Sequence, residues 1–228
     1  MINKRNGAQT IAYESRPAIV SWASVVGPKE GEGPLAHTFD EILEDDMLGE
    51  KSWEKAEAKM LEMAVEMALA KGNLRKEQMH MLLCGDLLNQ IVTASFTARQ
   101  LEIPFLGIYG ACSTMAQSLL LGAAMIDGGF AGNAVCATCS HFSTAERQYR
   151  MPLEHGNQRA PTAQWTVTGA GATILQSAKE GDALRVTHGT VGKVVDLGVT
   201  EADNMGAAMA PAAAIIGTYQ GCACMCAI

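Results

Sequence analysis

An α/β fold with a mainly parallel sheet is predicted by two features of this sequence. Apolar runs alternate with helical patterns through the first 176 residues, the mark of strands and helices in turn. With 228 residues and 48% hydrophobic composition, the chain can also bury a substantial core.

The elements follow in order. "AIVSWASVVG" reads as the opening strand, and "GPKEGEGPLAHTFD" as a long loop of Gly and Pro among charges. Ser52 is placed to cap a helix through "WEKAEAKMLEMAVEMALAKG", where Met60, Ala64, Met67 and Ala68 recur at helical spacing and Gly72 supplies the stop. A strand "HMLLCGD" comes next, then a helix "LLNQIVTASFTARQLEIP" ended before Pro104, then a strand "FLGIYG" that feeds Cys112. Ser113 to Asp127 is rich in Ala and Leu and is expected to be a helix buried in the centre of the domain, closed by Gly128 and Gly129. "NAVCATCSH" is a further strand, and "TAERQYRMPLEHGNQRAPTAQ" a polar excursion. "WTVTGAGATILQ" is expected to form two short strands around a Gly-rich turn, and "LRVTHGTVGKVVDLGV" is extended. After Pro211 no pattern is recognisable.

Composition narrows the function. Lys and Arg number 17 against 24 Asp and Glu, and the net charge of -7 argues against a nucleic-acid partner. The N-terminus lacks a signal-peptide pattern and no run of about 18 apolar residues occurs, so synthesis in the cytoplasm without a membrane span is expected. Seven cysteines fit reduced thiols better than a disulfide framework.

Cys112 stands where a strand turns tightly into a helix, among small residues. Backbone N–H groups and the helix N-terminus gather there, a setting that favours a thiolate and also binds anions. An inert packed thiol is the competing reading.

The strings "LLCGDLLNQIVTASFTARQLEIPFLGIYGACST", "ATCSHFSTAERQYR", "TVTGAGA", "TVGKVVDLGVT" and "DNMGAAMAPAAA" together closely resemble the stage V sporulation protein AD family of the thiolase-like superfamily, in the same order from about Gln9 to Ala214. The resemblance implies a thiolase-like (ketoacyl synthase-like) layered αβαβα fold. It also implies a protein that binds dipicolinic acid and helps load it into the developing spore. The implied partners are other proteins of the same sporulation operon, the implied location is peripheral at the spore inner membrane, and a homodimer is expected. In condensing enzymes of the superfamily the cysteine on this turn attacks an acyl thioester, with His and Asn or a second His polarising the carbonyl. Cys112 matches that nucleophile, but no comparable His pair lies downstream. The family resemblance therefore implies a binding protein and no catalytic residue, with Cys112-dependent acyl transfer as the alternative.

Dipicolinate is a flat pyridine with two carboxylates, and a pocket for it needs N–H groups, hydroxyls, guanidinium groups or a bridging calcium ion. Cys112, Ser113 and Thr114 offer the turn. Asp86 and Asn89 lie just past the preceding strand's end, where open α/β sheets bind ligands, and Asp86 is the carboxylate for a calcium bridge. His141, Arg147 and Arg150 follow the next strand and are the candidates for positive charge. Two bland readings compete: solvated surface arginines, and Asp86 as a helix cap before "LLNQ". No cofactor is expected beyond calcium carried by the ligand.

Cys136, Cys139 and His141, with Cys222, Cys224 and Cys226 in the tail, offer ligands for zinc, but strand geometry puts Cys136 and Cys139 on opposite faces. Gly169 and Gly171 make a poor dinucleotide fingerprint and read as a tight turn. Two segments are expected: 1–176, the N-terminal thiolase-like half, and 177–228, linking strands and the start of a truncated or internally deleted C-terminal half. A non-binding remnant is the reading that this shortness adds.

Overall fold

The computed structural model describes residues 4–149 and 166–193, with a few positions between 196 and 210. Two short strands, β1 (Arg5–Asn6) and β2 (Thr10–Ala12), precede the long β3 (Ala18–Val26). The Gly/Pro loop holds one helical turn, α1 (Pro28–Gly31), and the two-residue β4 (Glu41–Ile42). Then come α2 (Trp53–Lys71), β5 (Met81–Asp86), α3 (Val92–Leu101) and β6 (Phe105–Gly107). After a 3-10 turn at Ala111–Ser113 follow α4 (Thr114–Asp127), β7 (Asn133–Ser140), α5 (Phe142–Tyr149), β8 (Gly169–Gln176) and β9 (His188–Thr190).

The main sheet has the order β4-β3-β8-β7-β5-β6. Strands β5, β6 and β7 run parallel, as do β3 and β4, but β8 is antiparallel to both its neighbours, so the sheet is mixed at its centre. Helices α2 and α3 cover one face and α4 the other. Period-2 alternation sorts the strand residues between the two cores: Leu82, Cys84, Val135, Ala137 and Ile174 pack under α2, and Leu83, Ala134, Cys136 and Leu175 under α4. A small antiparallel sheet, β1-β2-β9, leans on α4, and the Tyr13 hydroxyl donates to the Leu120 carbonyl at 2.9 Å. The chain after β8 thus returns to pair with its own beginning.

Several expectations need correction. Within "WTVTGAGATILQ" the described residues, 166–176, hold one strand in place of two around a turn. A Cβ on Gly169 would stand 3.0 Å from the Val25 carbonyl oxygen, so this glycine serves close strand approach. Gly72 ends α2 in right-handed geometry (φ -79°), and Asn73 takes the left-handed position (φ 52°). What Gly72 provides is room: a Cβ there would lie 2.8 Å from Ser21 Oγ, which donates to the Ala68 carbonyl. The cap at Ser52 is as read, its Oγ accepting the Lys55 N–H at 3.4 Å. Finally, α4 is not enclosed on all sides. Ser118, Gly122, Ala123 and Ile126 are buried against the sheet, while Leu121 on the outer side is exposed. The described residues therefore form three full layers, helix–sheet–helix, with the small β1-β2-β9 sheet against part of α4. None of their helices is long and apolar enough to cross a membrane.

Candidate functional site

The turn that carries Cys112 is built by its own hydroxyls. Ser113 Oγ donates to the Gly110 carbonyl at 2.7 Å, and Thr114 Oγ1 donates to the Ala111 carbonyl at 2.8 Å while accepting the Gly110 N–H at 3.2 Å. Ala111 is held at φ 46°, a left-handed conformation that costs a non-glycine residue energy and is maintained here by these bonds. Gly85 lets the turn pass close to β5, since a Cβ there would run into the Ile108 carbonyl oxygen and press on Thr114. The result is an exposed Cys112 thiol over buried Ser113 and Thr114, at the entrance of a helix whose first turn has no side-chain cap. Ser113 and Thr114 are scaffold for the turn; Cys112 is the side chain it presents.

Asp86 is placed elsewhere. In β5 it shares the α2 face with Cys84, whereas the Cys112 turn leads to α4 on the opposite face. Its carboxylate is buried, with Oδ1 accepting the Leu88 N–H at 3.1 Å and Oδ2 the Ala94 N–H at 3.0 Å. Burial pushes this carboxyl up, against the pull of the N–H groups of Ala94, Leu88 and Thr93. Asp86 is thus the cap of α3, reached from eight residues upstream, and the helix begins at Val92 instead of Leu87. Ile91 at the helix boundary sits at φ 45° and offers no side-chain cap of its own. A calcium bridge through Asp86 does not fit, because its oxygens face backbone donors and not solvent. Asn89 is exposed in the turn between Asp86 and α3.

His141 also departs from expectation. It is buried at the start of α5, where Nδ1 accepts the Ser143 N–H at 3.2 Å and Nε2 stands 3.0 Å from the Asp46 carbonyl. Nδ1 is therefore unprotonated and Nε2 carries the hydrogen, which makes the ring neutral. Burial lowers its pKa, with the Asp46 carbonyl and charge acting in the opposite direction. It supplies no positive charge and serves to fasten α5 to the loop at Asp46. A hollow of about 310 Å³ lies beside this junction, lined by Pro28, Lys29, Glu30, Asp46, Phe142 and Thr168. Arg147 lies on α5, and Arg150 falls outside the described residues. Cys136 and Cys139 do face opposite sides of β7, and burial pushes the Cys136 thiol up to about 12. The tail cysteines lie outside the described residues.

One buried carboxyl escaped the sequence reading. Glu57 on α2 is 1% exposed, and burial, reinforced by the charge of Asp86, pushes its pKa up to about 7. A glutamate in step with Met60, Leu61 and Ala64 on the apolar stripe was the available signal.

Comparison with known proteins places this arrangement. The sequence matches the family profile of stage V sporulation protein AD over residues 7–220. It is 49% identical over 211 residues to stage V sporulation protein AD of Bacillus subtilis (strain 168), an alignment that takes in 92% of this chain and 62% of that protein. Among solved structures, 3-oxoacyl-acyl-carrier-protein synthase III from Aquifex aeolicus VF5 superposes with a TM-score of 0.52 at 18% identity, over 72% of this chain and 55% of that one. A variant of Xanthomonas campestris OleA superposes at 0.56 with 16% identity, over 81% and 62% of the two chains. At those identities the likeness establishes the thiolase-like fold alone. The chain spans about three fifths of the length of these relatives, and by profile and identity together it belongs to the stage V sporulation protein AD family.

Proposed function

We propose that this protein binds dipicolinic acid and takes part in its uptake into the developing spore, together with other proteins of the same sporulation operon. The observation that carries the reading is the exposed Cys112 turn at the uncapped N-terminus of α4. A dicarboxylate gains there from the partial positive charge of the helix end, and the thiol forms a wall of the site. Arg147 and Arg150 are the cations assigned to the second carboxylate. Calorimetric titration of the full chain, with and without calcium, tests this. Cys112→Ser should bind within about threefold of wild type, a change under 1 kcal/mol, while Cys112→Trp should lose binding by steric block. Equal affinity in all three, or no binding by the wild type, would overturn the site.

The exposed thiol also suits acyl transfer on a thiolase-like scaffold. The described histidines argue for binding instead: His141 has both ring nitrogens engaged, His80 Nδ1 accepts the Gly132 N–H, and none hydrogen-bonds Cys112 among the described residues. Turnover of an acyl thioester that vanishes in Cys112→Ala would establish the enzymatic reading in place of this one. A peripheral position at the spore inner membrane belongs to the same proposal. High salt or alkali should release the protein from spore membranes, and a requirement for detergent would count against it.

A further inference from the structure

Glu57 is enclosed by Asp86 and Cys84 from β5, Cys139 from β7, Thr93 at the start of α3 and Thr144 from α5. Counting protons in this cluster assigns its charge state. Thr144 Oγ1 lies 2.9 Å from the His141 carbonyl oxygen and 3.0 Å from Glu57 Oε2. A hydroxyl has one proton, which Thr144 must share between these two acceptors unless Glu57 brings a second; a protonated Glu57 makes both contacts full hydrogen bonds. Asp86 is the converse case. Its two oxygens accept the Leu88 and Ala94 N–H groups, which favour the anion against the upward push of burial. Burial raises both carboxyls; at Glu57 it is reinforced by the Asp86 charge against the contacts of Thr144, Cys139 and Thr93, whereas at Asp86 backbone N–H groups oppose it. The remaining Glu57 oxygen, Oε1, has no hydrogen-bond partner among the described residues, an arrangement far less costly for a neutral acid than for a carboxylate.

We infer that Glu57 is held as the neutral acid, donating to Thr144, and that loss of this proton to solvent releases α5 from the body of the fold. On ionisation the Thr144 hydroxyl turns towards Glu57 and leaves the His141 carbonyl to the Ala145 N–H, which already lies 3.0 Å away. A second anion then stands beside Asp86 without water. Relief requires one wall to move. β5 and β7 are interior strands of the main sheet, α2 is a helix of 19 residues, and Asp86 ties down the start of α3. The remaining wall is α5, which meets Glu57 through the Thr144 hydroxyl, and it is the neighbour that yields.

The direction with pH follows from linkage. An acid with a higher pKa in the closed state than when exposed favours the closed state at low pH. That advantage declines as pH rises from the ordinary carboxylate range to about 7 and is constant above it. His141, which faces Asp46, Glu54 and Glu30, acts in the opposite sense: with its pKa lowered by burial, it weakens the closed state as pH falls below the ordinary histidine range. A comparison between variants cancels the histidine contribution. In Glu57→Gln the amide donates to Thr144 as the acid does but cannot ionise. Hydrogen exchange of the α5 amides, measured on the full chain, should give a ratio of protection, Glu57→Gln over wild type, that grows by up to about tenfold per pH unit between about pH 5 and 7 and then levels. A ratio independent of pH would overturn the inference. Infrared spectroscopy of the wild type gives a readout that needs no folded variant. A protonated-carboxyl band should persist at about pH 6, well above the ordinary carboxylate range, and fade through neutrality; its absence at that pH would equally overturn the assignment.

Discussion

Asp86 carries three consequences from one position. It ends β5, accepts the N–H groups of Leu88 and Ala94, and raises the pKa of Glu57 by proximity. Asp86→Ala should therefore destabilise the fold through α3, by about 1–2 kcal/mol for the lost cap, as read by urea denaturation. The same substitution removes the negative charge beside Glu57, so the infrared carboxyl band should titrate at lower pH than in wild type. An unchanged denaturation midpoint would show that α3 does not depend on this carboxylate. Cys112 differs in kind, being exposed and outside the hydrogen-bond network that shapes its own turn, so its replacement by serine leaves the scaffold formed by Ser113 and Thr114 in place.

Among the elements, α4 and α5 have contrasting attachments. α4 is fixed at both ends. Its first turn grows out of the Gly110–Thr114 network, and Asp127 at its last turn accepts from Lys4 Nζ at 2.7 Å and from the Ser15 N–H at 2.7 Å, which binds the N-terminal strands to it. Small residues let it lie close to the sheet: a Cβ on Gly122 would approach Cys136 Sγ to 2.8 Å. At its first turn α5 is attached through Thr144 to Glu57, through His141 to the Asp46 carbonyl and through the Phe142 N–H to Thr168 Oγ1. Two of these attachments depend on a protonation state, a carboxyl that must keep its proton and an imidazole that must not take a second one. That difference makes α5 the element whose docking responds to pH.

For the whole molecule, the outer edge of the main sheet is the feature with consequences. β6 is three exposed residues, and no described strand pairs its outer side. Phe96, Phe105, Leu106 and Tyr109 are exposed around it, the kind of apolar edge that proteins seldom leave open to water. The homodimer we propose uses this edge, because a two-fold axis lets the same strand and the same apolar residues face their own copies. Leu106→Lys should convert the dimer to monomer in sedimentation or light-scattering measurements at micromolar concentration. A wild-type chain that is monomeric there would remove the dimer, and a dimer that tolerates the substitution would remove this edge from it.

The alternation of apolar runs with helical patterns was enough to read the α/β class, α2 with its Ser52 cap, the buried strands β5 and β7, and the opposite facing of Cys136 and Cys139. Each is a property of one segment and its own periodicity, which is written in neighbouring residues. The ordered strings from "LLCGDLLNQ" to "DNMGAAMAP" were likewise enough to identify the family. The antiparallel course of β8 was not legible, because the same β-branched and small residues serve either direction and only the partners Val25 and Cys139 on the adjacent strands settle it. The role of Asp86 was open between cap and ligand until the start of α3 was located, and the neutrality of His141 depends on a carbonyl 95 positions away. Glu57 and Thr144 lie 87 positions apart and carry no shared motif. Burial and proton ownership depend on what the folded chain brings to a side chain from a distance, and that information resides in the three-dimensional packing of α2, β5, β7 and α5 against one another.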